Sequence, residues 1–95
     1  PNLKVGDKVE VLIDIREDRE WVSGRIPAAI HAGRGILEKS IPEIAATDDE
    51  IVLYCASGFR SVLGAKSLNE MGYTNVFSLK GGISDWISAG FETEE

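Results

Sequence analysis

Two runs of apolar residues restrict this chain to a small number of folds. Residues 9–15 and 51–54 are rich in β-branched side chains and almost continuously apolar. Strands with this pattern are covered on both faces, as in a parallel sheet that lies between two layers of helices. The two runs therefore predict an α/β domain with a central, mainly parallel sheet and helices on both faces.

The rest of the chain alternates between strand-like segments and helical patterns. Two more strands are predicted at residues 28–31 and 76–79. Helices are predicted at residues 17–22, 40–46, 61–71 and 83–89. No repeat or low-complexity linker interrupts this order, so we expect one domain over residues 1–95 with a core from about residue 9 to about residue 91.

Local signals set the ends of two of these helices. Ser40 and Glu43 have the spacing of a capping box, which predicts that a helix begins at Ser40. Gly72 is expected to end the helix over residues 61–71. The apolar face of that helix is predicted from residues that recur every three positions, namely Val62, Ala65, Leu68 and Met71.

Composition excludes several classes of function. The net charge of −6 argues against nucleic acids and anionic membranes as partners. One cysteine excludes an internal disulfide and a metal site built from several cysteines. No apolar run approaches the roughly 20 residues that span a bilayer, and no signal-peptide pattern opens the chain, so a cytoplasmic location is expected.

The single cysteine lies in a chemically informative position. Cys55 follows the apolar strand over residues 51–54, and a short loop with Gly58 leads to Arg60 and the next helix. Asp14 follows the other apolar run in the same way. Ligands of parallel sheets bind at the carboxyl ends of the strands, so both residues are candidates for a functional site.

The loop after Cys55 favours a thiolate. If the loop curls, the N–H groups of residues 56–60 point towards a common centre. The amino end of the following helix adds partial positive charge, and Arg60 adds a full one. These three effects predict a lowered pKa for Cys55. The residues alone leave a second interpretation open, in which Cys55 is a structural thiol in a tight turn and Arg60 is solvated.

Several segments, in order, resemble the rhodanese-like domain family. They are residues 12–16, 20–30, 51–61, 68–76 and 79–86. Arg25 and Ala28 stand where the family usually has His and Gly. The resemblance implies a three-layer rhodanese-like α/β domain with a sheet of about five strands, and it implies a sulfurtransferase without a metal or organic cofactor.

The resemblance also implies roles for individual residues. Cys55 would be catalytic and would carry sulfur as a persulfide from thiosulfate or another persulfide to a thiol or cyanide. Asp14 and Arg16 would support the loop. Substrate binding would fall to the loop residues Ala56, Ser57, Gly58, Phe59, Arg60 and Ser61. Independently of the resemblance, Arg34 follows the second strand in the chain, a position expected to bring it near the Cys55 loop, and it is a further candidate for binding an anionic substrate. The partners implied are thiosulfate, glutathione persulfide, cyanide and thioredoxin-like proteins.

Departures from the family pattern bear on the sulfur donor. Ala56 and Phe59 are uncharged, so Arg60 is the only cation of the loop. Thiosulfate is a dianion, and we expect this loop to bind it poorly. A less charged persulfide or a protein-bound sulfur is the expected donor, and Phe59 offers it an apolar contact.

Two other functions compete with sulfur transfer. Related phosphatases and arsenate reductases use a Cys-x5-Arg loop, whereas four residues separate Cys55 from Arg60 in this chain. Those phosphatases commonly have His before the cysteine, where this chain has Tyr54. A non-catalytic interaction module is the other alternative, but such modules typically lack the cysteine that this chain keeps.

Overall fold

A parallel sheet forms the middle layer of the computed structural model, which describes residues 2–3 and 10–95. In chain order its strands are β1 (Asn2–Leu3), β2 (Val11–Asp14), β3 (Ile30–His31), β4 (Ile51–Tyr54) and β5 (Val76–Leu79). Their spatial order is β1-β5-β4-β2-β3, and every neighbouring pair is parallel. The two apolar runs of the sequence thus form the central strands β4 and β2. Val9, the predicted start of the first run, lies outside the described residues.

Helices cover both faces of this sheet. They are α1 (Asp18–Ser23), α2 (Leu37–Ile44), α3 (Phe59–Glu70) and α4 (Gly82–Ser88), and a 3-10 turn over Arg34–Ile36 precedes α2. Within residues 10–95, none of the helices is both long enough and apolar enough to cross a membrane.

Alternate residues of the central strands face two separate apolar clusters. On one face, Ile13 of β2 and Leu53 of β4 pack with residues of α2 and α3. On the other face, Val52 and Tyr54 of β4 pack with Ile83 of α4. The predicted α/β class, with a parallel sheet between two helical layers, is confirmed.

The predicted start of α2 is wrong. The helix begins at Leu37 rather than Ser40, and Ser40 and Pro42 lie inside it. Leu37 and Ile41 are fully buried one helical turn apart, and the burial of Leu37 extends the helix towards its amino end. A capping box is present instead at the start of α1, between Glu17 and Glu20.

The predicted apolar face of α3 is only partly correct. Ala65 and Leu68 are buried, but Val62 and Met71 are exposed. At about 100° per residue, each step of three residues moves about 60° around the helix, so four such residues spread over half of its circumference. Only the middle two therefore face the sheet. Gly72 follows the helix with a φ of 100°, as its predicted role as a helix stop requires.

Candidate active site

Cys55 lies at the carboxyl end of β4, where the chain turns from the centre of the sheet into α3. The residue is 1% exposed. Gly58 takes a φ of 104°, which glycine adopts without steric cost, and forms the N-cap of α3. A side chain at Gly58 would approach the Gly81 nitrogen to 3.2 Å, so glycine also fits the space available.

Hydrogen-bond donors of the loop surround the sulfur. The backbone N–H of Gly58 donates to Sγ of Cys55 at 3.1 Å, and the Ser61 hydroxyl lies 3.6 Å from the same atom. Burial raises the pKa of the Cys55 thiol. The Ser61 hydroxyl and the N–H groups of Ser61, Gly58 and Ser57 lower it further than burial raises it. The net pKa lies below the ordinary value, in the direction predicted from the sequence.

The start of α4 fixes the outer side of the loop. The N–H groups of Ile83 and Ser84 donate to the carbonyl oxygens of Cys55 and Ala56, both at 3.0 Å. These carbonyl groups therefore point away from the site. Gly82 has a φ of 58°, and a side chain there would collide with the Cys55 carbonyl oxygen. The pair of glycines at residues 81–82 thus forms a sharp turn and lets α4 approach the loop closely.

Arg60 forms a bidentate ion pair with a residue that the sequence reasoning missed. Its Nη1 and Nη2 donate to Oε1 and Oε2 of Glu20 at 2.9 and 3.1 Å. The hydrogen bond from Arg60 is the main reason that the pKa of Glu20 falls from 4.5 to about 2. Glu20 lies 40 positions before Arg60, and its only signal was its place at the start of the segment over residues 20–30.

A second missed residue lies behind the sulfur. Ser78 of β5 is buried, and its hydroxyl oxygen lies 2.6 Å from that of Ser61, which is fully buried. The Ser61 hydroxyl thus contacts both the Cys55 sulfur and the Ser78 hydroxyl. The only sequence signal for Ser78 was a polar side chain in an otherwise apolar strand.

Asp14 and Arg16 form a buried ion pair after β2. Nη2 of Arg16 lies 2.7 Å from Oδ2 of Asp14 and also donates to the Gly24 carbonyl oxygen at 2.6 Å. The guanidinium lies 5.7 Å from the centre of the Tyr54 ring. Burial and the Asp14 carboxylate raise the pKa of Tyr54. The pair therefore contacts the residue that precedes Cys55.

Arg34 lies in a cleft that does not include the Cys55 loop, whereas Phe59 lies exposed at the start of α3. Arg34 donates to both carboxylate oxygens of Glu38, at 3.0 and 2.8 Å. It lines a cleft of about 340 Å³ formed by residues 16–19 and 33–36, which contains no residue of the Cys55 loop. Phe59 is 67% exposed at the first turn of α3, so its ring is free to contact a bound partner.

In the part of the chain that the structure describes, no group of three or more His, Cys, Asp or Glu residues is placed to hold a metal ion.

The chain belongs to the rhodanese-like domain family. The sequence model described as the Rhodanese-like domain matches residues 2–89. A protein named Sulfurtransferase from Allochromatium vinosum is 36% identical over 80 residues, which cover 84% of this chain and 74% of that protein. The family resemblance inferred from the ordered motifs is confirmed.

Solved structures share the same fold. A rhodanese-related protein from Thermoplasma volcanium has a TM-score of 0.86 and 26% identity, and the match covers 98% of this chain and 96% of the other. A protein of unknown function from Rhodopseudomonas palustris, described as a possible tyrosine phosphatase, has a TM-score of 0.81 and 38% identity. That match covers 88% of this chain and 70% of the other.

Proposed function

We propose that this protein is a sulfurtransferase that carries sulfur on Cys55. The Cys55 thiolate attacks the outer sulfur of a donor and forms a new S–S bond. The bond between that sulfur and the rest of the donor breaks, and the leaving group departs with the electron pair. A thiolate or cyanide then attacks the outer sulfur of the persulfide, takes it away, and restores the Cys55 thiolate.

The observation that carries this proposal is the set of donors around Sγ. N–H groups of the loop and the Ser61 hydroxyl stabilise negative charge on the sulfur, so the pKa of Cys55 is lowered and the nucleophilic thiolate is favoured. The outer sulfur of a persulfide would lie about 2 Å further out, within the same group of donors. The Allochromatium relative, which is named a sulfurtransferase, supports the same reaction class.

We further propose roles for the surrounding residues. Ala56, Ser57 and Gly58 leave room for the donor above the sulfur, and Arg60 orients it. Asp14 and Arg16 support the loop through Tyr54, which the Arg16 guanidinium covers. Arg34 would not contact a donor bound at the Cys55 loop, because its guanidinium is paired with Glu38 in a separate cleft.

The proposed donor is a persulfide with little charge at its reacting end, free or bound to a protein. Two observations support it. Ala56 and Phe59 add no positive charge to the loop, and the Arg60 guanidinium is paired with Glu20. The exposed ring of Phe59 also provides apolar contact area beside the loop, which suits a protein-bound donor or acceptor.

Intact mass spectrometry tests the covalent step directly. After incubation with glutathione persulfide and removal of excess donor, the wild-type protein should gain one sulfur atom. Cys55→Ala should gain none, and added cyanide should remove the sulfur from the wild type. A wild-type protein that gains no sulfur from glutathione persulfide or from thiosulfate contradicts the proposal.

A phosphatase is the second candidate, and the description of the Rhodopseudomonas neighbour favours it. Against it, the loop closes on Arg60 after four residues, which is one residue shorter than the Cys-x5-Arg loop of the related phosphatases. Hydrolysis of an aryl phosphate by the wild type but not by Cys55→Ser would establish this function instead.

A further inference from the structure

We propose that Glu20 sets donor specificity: by pairing with Arg60 it keeps the mouth of the Cys55 loop close to electrically neutral, which disfavours the thiosulfate dianion relative to donors of lower charge. This inference rests on the proposed sulfur transfer at Cys55. Glu20 acts through Arg60, so it is a positioning residue rather than a catalytic one.

The geometry holds the Glu20 carboxylate in a defined place. Oε1 accepts the backbone N–H of Glu17 at 3.0 Å and Nη1 of Arg60 at 2.9 Å, and Oε2 accepts Nη2 of Arg60 at 3.1 Å. The capping box at the start of α1 thus fixes the carboxylate from one side while Arg60 binds it from the other. The side chains of Arg60 and Glu20 are 36% and 25% exposed, so the pair lies at the surface beside the loop.

Two other arginines at this edge of the sheet are also paired with carboxylates. Arg16 pairs with the buried Asp14, and Arg34 pairs with Glu38. Arg60 is the only charged residue between positions 55 and 61, and Glu20 cancels it. A dianionic donor therefore meets no unpaired cation of the loop, although Arg60 keeps its remaining N–H groups for hydrogen bonds.

Removal of the Glu20 charge should favour the donor with more negative charge. The attraction between an unpaired guanidinium and one additional negative charge on the donor, at about 6 Å, raises kcat/KM for that donor. The increase is about threefold in bulk water and about a hundredfold at a dielectric constant of about 20. Because the pair is partly exposed, we expect an effect of about tenfold.

Two donors of different charge provide the test. Thiosulfate is a dianion, whereas methanethiosulfonate presents the same type of outer sulfur on a monoanion. With either donor, Cys55 forms the new S–S bond while sulfite or methanesulfinate leaves with the electron pair. In Glu20→Gln, the ratio of kcat/KM for thiosulfate to that for methanethiosulfonate should rise about tenfold, mainly through the KM for thiosulfate, and should become more sensitive to salt.

Matched variants separate charge from structure. Asp18→Asn removes the same charge from the first turn of α1 at a fully exposed side chain whose ion-pair partner is His31 rather than Arg60, and it should leave the ratio unchanged. Glu20→Asp keeps the charge and should also keep the ratio close to that of the wild type. An unchanged ratio in Glu20→Gln overturns the inference. This holds even if kcat/KM falls equally with both donors, because Glu20 would then only hold Arg60 in place.

The experiment separates this inference from the proposed function. If neither donor adds sulfur to Cys55 of the wild type, sulfur transfer itself is excluded. If both donors load Cys55 in the wild type and the ratio does not respond to Glu20→Gln, only the role of Glu20 is excluded.

Discussion

The Ser61 hydroxyl determines how the Cys55 sulfur is stabilised. It has one proton and three neighbouring acceptors, which are Sγ of Cys55 at 3.6 Å, the Gly58 carbonyl oxygen at 3.2 Å and the Ser78 hydroxyl at 2.6 Å. When Ser78 donates its own proton to Ser61, the Ser61 proton is left for the sulfur or for Gly58. A negative charge on the sulfur is the stronger acceptor, so this arrangement favours the thiolate.

Removal of either hydroxyl should therefore raise the pKa of Cys55. Ser61→Ala should give the larger rise, because the variant loses a hydrogen bond to the charged sulfur. Ser78→Ala should produce a smaller rise, and the double variant should match Ser61→Ala because Ser78 acts through Ser61. The pH dependence of alkylation by iodoacetamide measures the pKa.

Ser67→Ala is the matched control for these variants. It removes a hydroxyl from the same helix, but that hydroxyl donates to Glu38 rather than facing the sulfur. Its thiol pKa should equal that of the wild type. If Ser61→Ala also titrates like the wild type, the Ser61 hydroxyl does not stabilise the thiolate.

The parts of the site that are close together in the chain could be predicted from the sequence. Cys55, Gly58 and Arg60 lie within one strand–loop–helix segment, so their spacing fixes their geometry. Glu20 and Ser78 join the site only because α1 and β5 lie beside that segment, 40 and 17 positions from the residues that they contact. Nothing local in the sequence records such contacts.

At the scale of elements, the same distinction separates correct from incorrect predictions. The strands β2, β4 and β5 and the helix stop at Gly72 depend on local composition and lie close to their predicted positions, whereas β1 was not predicted. The start of α2 depends on where Leu37 is buried, which is a property of the packed sheet. The apolar face of α3 depends on which side of the helix meets β4 and β5, and a three-residue repeat alone does not determine that side.

The turn between α1 and β3 contains a strained residue. Ala28 has a φ of 71° and is the only non-glycine residue with positive φ among the described residues. It is exposed and stands where the family usually has glycine. We expect Ala28→Gly to raise the free energy of unfolding by about 0.5–1 kcal/mol, because the relief of left-handed strain exceeds the added entropy of the unfolded chain. Urea denaturation measures the change.

A control substitution shows what glycine costs elsewhere. Ala89 is also exposed but has a φ of −79°, so Ala89→Gly should lower the free energy of unfolding by about 0.5–1 kcal/mol. Opposite signs for the two variants support the assignment of strain to Ala28. A loss of stability in Ala28→Gly would contradict it.

At the scale of the whole molecule, two carboxylates connect the helices α1 and α2 to α3. Glu20 joins α1 to α3 through Arg60, and Glu38 joins α2 to α3 through Ser67. Hydrogen bonds lower the pKa of each carboxylate, chiefly from Arg60 for Glu20 and from Ser67 for Glu38. These helices are therefore coupled through charged groups as well as through apolar packing.

This coupling predicts how stability depends on pH. The pKa of Glu20 is about 2 in the folded protein and near 4.5 when unpaired, so its contribution is complete above pH 4.5 and is lost as the pH falls towards 2. We expect Glu20→Gln to be less stable than the wild type at pH 7 by at most about 1 kcal/mol, as for a partly exposed ion pair.

The difference between the two proteins should shrink steadily in urea denaturation series from pH 5 to about pH 3, because protonation of Glu20 removes the same charge as the substitution. Glu70→Gln, which alters an exposed carboxylate on α3, should give a difference that stays constant over this range. A constant difference for Glu20→Gln as well would show that the Arg60–Glu20 pair does not couple α1 to α3 energetically. The role of Glu20 would then be confined to the charge that it places beside the Cys55 loop.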